Sequence, residues 1–283
     1  MSAVANLPLP DGVHARSVDV PGGPLAVLDA PAAGEHRGTV VMVPGYTGSK
    51  EDFRYVLEPL AAAGLRVVAI DQRGQYQSPG PDDHDAYTVR QLAEDLLHLV
   101  RALDDAAVHL VGHSFGGLVS RAAVLAEPTA FRSLVLMGSG PAGLTGPRAD
   151  VLPFLKPVLL EGGLEAVWEA SRAIARDNPR KVEVTEEAQD FLRARLLGSS
   201  PSGLLAMADA LTSEPDRVDE LAAVDLPKLV MYGEHDDAWL PALQDDMARR
   251  LGAPVVVVPD ALHSPAAENP FLTARALLEF LLP

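Results

Sequence analysis

Short apolar runs alternate along this chain with longer segments whose apolar residues recur every three or four positions, and this alternation restricts the possible folds more than any other feature. The runs at residues 39–43, 66–70, 108–112, 134–137, 228–232 and 254–258 show no polar/apolar alternation, as expected of strands buried on both faces. Segments 51–63, 88–103, 115–126, 241–251 and 270–282 carry the helical spacing. Strands separated by helices predict a mostly parallel sheet covered by helices, because each parallel connection needs a crossover long enough to hold one. Two further runs, 14–20 and 25–29, flank Pro21-Gly22-Gly23-Pro24 and read as an antiparallel hairpin at the sheet edge, where prolines are tolerated. The expectation is an α/β architecture with about eight strands.

The rhythm breaks between residues 142 and 226. Helical stretches at 151–160, 164–176, 186–197 and 204–211, punctuated by Gly162-Gly163, Pro179, Gly198 and Pro201, include no strand pattern and exceed a simple crossover. The expected organisation is one core formed by residues 1–141 and 227–283, with residues 142–226 as a helical insertion over the sheet edge.

Within this frame Gly112-His113-Ser114-Phe115-Gly116 falls between an apolar run and a helical pattern. Strand, sharp turn, helix is the context that puts a serine at the apex of a strained turn with its hydroxyl above the sheet. The helix N-terminus behind it favours negative charge. Ser114 is therefore the candidate nucleophile, and His113 is expected to point away and pack.

A serine hydroxyl needs a base, and the base needs a carboxylate to hold its tautomer. In turns of this kind the acid and then the histidine follow the nucleophile, each in a loop after a later strand. Gly233-Glu234-His235-Asp236-Asp237 follows the run at 228–232, and Pro259-Asp260-Ala261-Leu262-His263 follows the run at 254–258. His263 alone among the eight histidines both follows the acid loop and ends a strand. His235 reads as solvent-facing or supporting, and His14, His36, His84, His98 and His109 as surface or packing residues. Asp236 and Asp237 both remain candidates for the acid on these grounds. Metal catalysis is not expected, since no HxH or HExxH spacing accompanies His235, Asp236 and Asp237.

Acyl transfer also needs two N–H donors for the developing oxyanion. Phe115, the residue after the serine, is placed to supply one, and Tyr46 in Val43-Pro44-Gly45-Tyr46-Thr47-Gly48 to supply the other. The side chains of Tyr46 and Phe115 would border an apolar pocket, with Trp168 of the insertion as part of a lid.

Charge and composition exclude other roles. A formal net charge of −16 repels phosphate backbones and anionic membranes, so nucleic acid is not an expected partner. The absence of cysteine removes disulfides and a thiolate nucleophile. No apolar stretch reaches the roughly 20 residues that span a bilayer, so no membrane insertion is expected. Residues 1–12 lack the basic and apolar regions of a secretory signal, so the expected location is cytoplasmic.

The elbow at 112–116, Pro44-Gly45-Tyr46-Thr47-Gly48, Asp71-Gln72-Arg73-Gly74, Gly233-Glu234-His235-Asp236 and His263 together resemble the α/β-hydrolase superfamily, in its cap-bearing esterase and lysophospholipase-like branch. The resemblance covers nearly the whole chain outside the insertion. It implies a Ser114–His263–Asp236 triad, favouring Asp236 over Asp237, together with a backbone oxyanion hole, a mobile cap and no cofactor. Two positions depart from the pattern: Pro44-Gly45 stands where many members have His-Gly, and Tyr76 where glycine is common. The expected activity is cleavage of a small apolar ester through an acyl-enzyme on Ser114. The same residues would also serve amide, thioester or carbon–carbon hydrolysis or acyl transfer, and a non-catalytic small-ligand receptor is the alternative of another class. A serine at 114 argues against the carboxylate-nucleophile chemistry of haloalkane dehalogenases and epoxide hydrolases.

Overall fold

The computed structural model describes residues 9–176 and 185–283, so most of the 1–12 stretch and Pro179, both read above, lie outside the described residues. The strands are β1 (His14–Val20), β2 (Gly23–Ala30), β3 (Gly38–Val43), β4 (Leu65–Ile70), β5 (Val108–His113), β6 (Phe131–Met137), β7 (Lys228–Gly233) and β8 (Val255–Val258). They form one sheet in the order β1-β2-β4-β3-β5-β6-β7-β8. The β1–β2 hairpin is antiparallel and joins β4 antiparallel; every other pairing is parallel.

The helices are α1 (Arg54–Ala62), α2 (Val89–Ala102), α3 (Phe115–Ala126), α4 (Pro147–Arg176), α5 (Glu186–Leu197), α6 (Pro201–Ser213), α7 (Val218–Ala222), α8 (Pro241–Leu251), α9 (Pro265–Glu268) and α10 (Pro270–Leu281). Successive side chains of a strand face opposite sides, and the valine-rich central strands bury both. Val41 and Val43 of β3 belong to the core cluster that also holds residues of α2, α3 and α8, whereas Val40 and Met42 belong to the one that holds residues of α1 and α10. Val56, Leu57 and Leu60 bring the α1 stripe to 0% exposure, each contributing about 1.5–3 kcal/mol.

Two departures, at β8 and α7, have physical causes. β8 is not buried on both faces: Val255 and Val257 are 39% and 44% exposed, because the strand ends the sheet and pairs only with β7. The expected helices at 151–160 and 164–176 both form within α4, parted at Gly163, whose φ of 69° and ψ of −168° lie outside the helical region. α7 lacked a helical signal because five residues carry too little periodicity to read. Helices α4 to α7, and no strand among the described residues, lie between β6 and β7.

Parallel pairing aligns the strand ends. Val43 lies opposite Gly112, His113 opposite Met137, Met137 opposite Met231 and Gly233 opposite Val258. The loops leaving β3, β5, β7 and β8 therefore emerge at one edge of the sheet, where open α/β sheets bind ligands.

Candidate active site

Ser114 occupies that edge between β5 and α3 with φ 56° and ψ −123°, a conformation that favours glycine. The turn is held because Ser114 N–H donates to Met137 O (2.9 Å) and Ser114 O accepts from Gly117 N–H (2.9 Å). The crossing is so close that a Cβ on Gly116 would collide with the carbonyl oxygens of Val43 and Pro44. Gly45 also approaches closely, since a Cβ there would lie 2.8 Å from Ser114 Cβ.

The β8 loop carries His263 to this point. The Ser114 hydroxyl lies 2.9 Å from His263 Nε2, and His263 Nδ1 lies 3.0 Å from Asp236 Oδ1. In the neutral tautomer, Nδ1–H donates to Asp236 and Nε2 accepts from Ser114. Asp236 is 2% exposed. Its Oδ1 also accepts from Ala238 N–H (2.9 Å), and its Oδ2 from Gln244 Nε2 (2.9 Å). Burial alone would raise the Asp236 carboxyl, but the hydrogen bond and charge of His263, the Ala238 N–H and Gln244 together hold it below the ordinary carboxylate value.

Asp237 faces elsewhere, pairing with Arg148 at the start of α4 (2.6 Å). The loop thus assigns its two neighbouring carboxylates to different partners. His235 is exposed, and only its backbone engages the loop, donating to Ala261 O (2.9 Å).

His113 does more than pack. Its Nε2–H donates to the carbonyl oxygen of His263 (2.8 Å), with the two rings 5.0 Å apart. Burial and the neighbouring His263 push its pKa down to about 4, leaving it a neutral donor. From the other side, the Glu268 carboxylate accepts from the N–H groups of Leu262 (2.6 Å) and Ser264 (3.2 Å), which flank His263. Gln244, Glu268 and the bond made by His113 were not anticipated. A histidine beside the elbow serine was the one available signal; isolated polar residues on α8 and α9 carry no periodicity.

The Phe115 N–H opens α3 and so has no intrahelical acceptor, and the Tyr46 N–H donates to no carbonyl among the described residues. Both belong to the two segments that meet at Ser114.

A cavity of about 370 Å³ lies between Tyr46-Thr47 and helices α4, α5 and α6. Tyr46 and Trp168 line it with Leu155, Leu159, Leu196 and Leu204. The side chain of Phe115 does not: at 0% exposure it belongs to the core beneath the sheet edge, because the first turn of α3 directs it inward. Burial and the charge of Asp209 push the Tyr46 phenol up. Among the described residues no three His, Asp or Glu side chains converge as a metal site, and no helix is long and apolar enough to cross a membrane.

Comparison with known proteins agrees with this architecture. The family described as alpha/beta hydrolase fold matches residues 38–270. A 2-hydroxy-6-oxononadienedioate/2-hydroxy-6-oxononatrienedioate hydrolase of Paraburkholderia xenovorans is 30% identical over 74% of this chain and 74% of its own. A pimeloyl-[acyl-carrier protein] methyl ester esterase of Aeromonas hydrophila is 30% identical over 75% of this chain and 83% of its own. The crystal structure of a hydrolase from Pseudomonas aeruginosa superposes with a TM-score of 0.80 at 25% identity, covering 95% of this chain and 99% of that one.

Proposed function

The chain belongs to the α/β-hydrolase fold family, and from that premise we propose that it is a serine hydrolase cleaving a carboxylic ester through an acyl-enzyme on Ser114. The observation that carries the reading is the continuous line from Ser114 Oγ through His263 to Asp236, at 2.9 Å and 3.0 Å. His263 Nε2 takes the hydroxyl proton as Oγ attacks the carbonyl carbon. The Tyr46 and Phe115 N–H groups receive the oxyanion, worth about 10²–10³ in rate per donor in comparable sites. His263 then gives its proton to the leaving alcohol and next activates the water that frees the acid. Asp236 stays ionised throughout, in keeping with its lowered carboxyl.

Residues 142–226 form a cap in this proposal, and its cavity receives the acyl chain. The mainly apolar lining, in which Lys156, Arg195 and Asp209 are the charged members, and the methyl ester esterase relative support an ester with a mainly apolar acyl group. The relative named for 2-hydroxy-6-oxononadienedioate hydrolysis supports a second reading, in which the same triad cleaves a carbon–carbon bond.

The test is turnover of p-nitrophenyl esters of increasing chain length, beside a vinylogous diketone acid, by wild type and Ser114→Ala. Ester turnover lost on substitution supports the first reading, and cleavage of the diketone acid alone supports the second. Turnover equal in both proteins sinks the triad, and no turnover at all favours a receptor.

A further inference from the structure

Gln75, 1% exposed, lies in the loop after β4, in the stretch where the sequence departs from the family pattern at Tyr76. Its side-chain amide has one available orientation. The amide oxygen accepts from Gln72 N–H (3.1 Å), so the NH₂ group faces Gly45 O and donates to it at 2.8 Å. The backbone of Gln75 is held as tightly, with its N–H donating to Gln72 O (2.9 Å) and its carbonyl accepting from Ser78 N–H (2.8 Å).

The bond matters because of the peptide to which that carbonyl belongs. Gly45 C=O and Tyr46 N–H are the two ends of one trans peptide unit, and they point in opposite directions. Gly45 O also accepts from Gly48 N–H (3.0 Å), so two donors draw electron density toward the oxygen. A peptide whose carbonyl is doubly bonded in this way is a stronger N–H donor, by 10–30% per bond in condensed-phase estimates.

We infer that Gln75 is a positioning residue that orients and polarises the Gly45–Tyr46 peptide, strengthening Tyr46 N–H as an oxyanion donor; this rests on the serine-hydrolase reading above. The neighbouring contacts separate polarisation from simple anchoring. Gln72 Nε2 donates to Pro44 O (2.9 Å), but that carbonyl shares its peptide with Gly45 N–H, which is not a donor to the oxyanion. Lys50 N–H and Nζ both bond the Asp71 carboxylate (2.7 and 2.8 Å) and tie the same two loops together. The loops therefore stay joined when Gln75 is replaced. The Gln75 loop also reaches the proposed cap: Tyr76, at φ 40°, donates its N–H to Ser199 Oγ (3.2 Å) and sets its ring edge-on to Phe191 (5.9 Å).

The experiment compares wild type, Gln75→Met, Gln75→Glu and Gln72→Met for kcat and KM on one p-nitrophenyl ester. It adds Ki for a trifluoromethyl ketone, whose tetrahedral adduct places an anionic oxygen in the hole, and Tm for each protein. A 10–30% loss of a donor worth 10²–10³ predicts that Gln75→Met lowers kcat and raises Ki by the same factor, roughly two- to eightfold, with KM unchanged. Gln75→Glu at pH 8 loses more, because it sets a carboxylate against Gly45 O. Gln72→Met keeps the wild-type kcat and Ki, because the peptide it bonds does not carry the Tyr46 N–H. Wild-type kcat and Ki in Gln75→Met, a change in KM alone, or an equal loss in Gln72→Met would overturn the inference while leaving the triad standing. A wild type that neither turns over the ester nor is labelled at Ser114 by a fluorophosphonate overturns the underlying reading instead.

Discussion

Replacing His113 by glutamine is expected to flatten the protein's loss of stability on acidification. The histidine ring is buried against the His263 loop, and its pKa falls from 6.5 to about 4. Its folded value lies below its unfolded one, so between these limits the unfolded chain binds the additional proton. The stability His113 contributes is therefore fully present above pH 6.5 and is lost as the pH falls toward 4. The two values give a loss of about 2 kcal/mol by pH 5 and about 3 kcal/mol at the acid limit. Glutamine keeps an N–H donor within reach of the His263 carbonyl but does not titrate. Urea unfolding of both proteins between pH 7.5 and 5 measures the effect. His109, also held at about 4 by burial, titrates in both and cancels in the difference. Wild type should lose about 2 kcal/mol more than the variant across this range. Parallel pH dependences would refute the reasoning and place His113 in contact with water or with a compensating charge.

Three further outcomes follow from the geometry. Asp236→Asn should lower kcat by roughly 10⁴ through the wrong His263 tautomer, whereas Asp237→Asn, which breaks only the half-exposed pair with Arg148, should stay within about threefold; steady-state kinetics distinguishes them. Gly116→Ala places a methyl against the Val43 and Pro44 carbonyls and should cost at least about 1–3 kcal/mol in thermal unfolding while separating Tyr46 from Ser114. Trp168→Ala should enlarge the cavity and shift kcat/KM toward longer acyl esters by roughly tenfold, with little effect on the acetate ester.

Much of this arrangement is legible in the sequence, for identifiable physical reasons. Buried parallel strands are read as unbroken apolar runs, and amphipathic helices such as Phe115–Ala126 and Pro241–Leu251 by their spacing, because tertiary burial imposes both patterns. The meeting of Ser114, Asp236 and His263 follows from loop order, since loops after neighbouring parallel strands must emerge at one edge. The exposure of β8 was hidden because strand order, not composition, decides which valine run ends a sheet. Gln75, Gln244 and Glu268 were hidden for a different reason. Each is defined by the backbone or carboxylate atom it meets from a distant element, and no local pattern records such a partner. Phe115 was misplaced because a turn's sequence sets the direction of its apex residue but not of the next side chain.

The central claim is that Ser114 is a nucleophile activated by His263. The most direct measurement is fluorophosphonate labelling of wild type, Ser114→Ala and His263→Ala, with the adduct located by peptide mass spectrometry. A single adduct on Ser114 in wild type, none in Ser114→Ala, and labelling slowed by orders of magnitude in His263→Ala is the predicted result. An adduct at another residue, or labelling undiminished without His263, would contradict it.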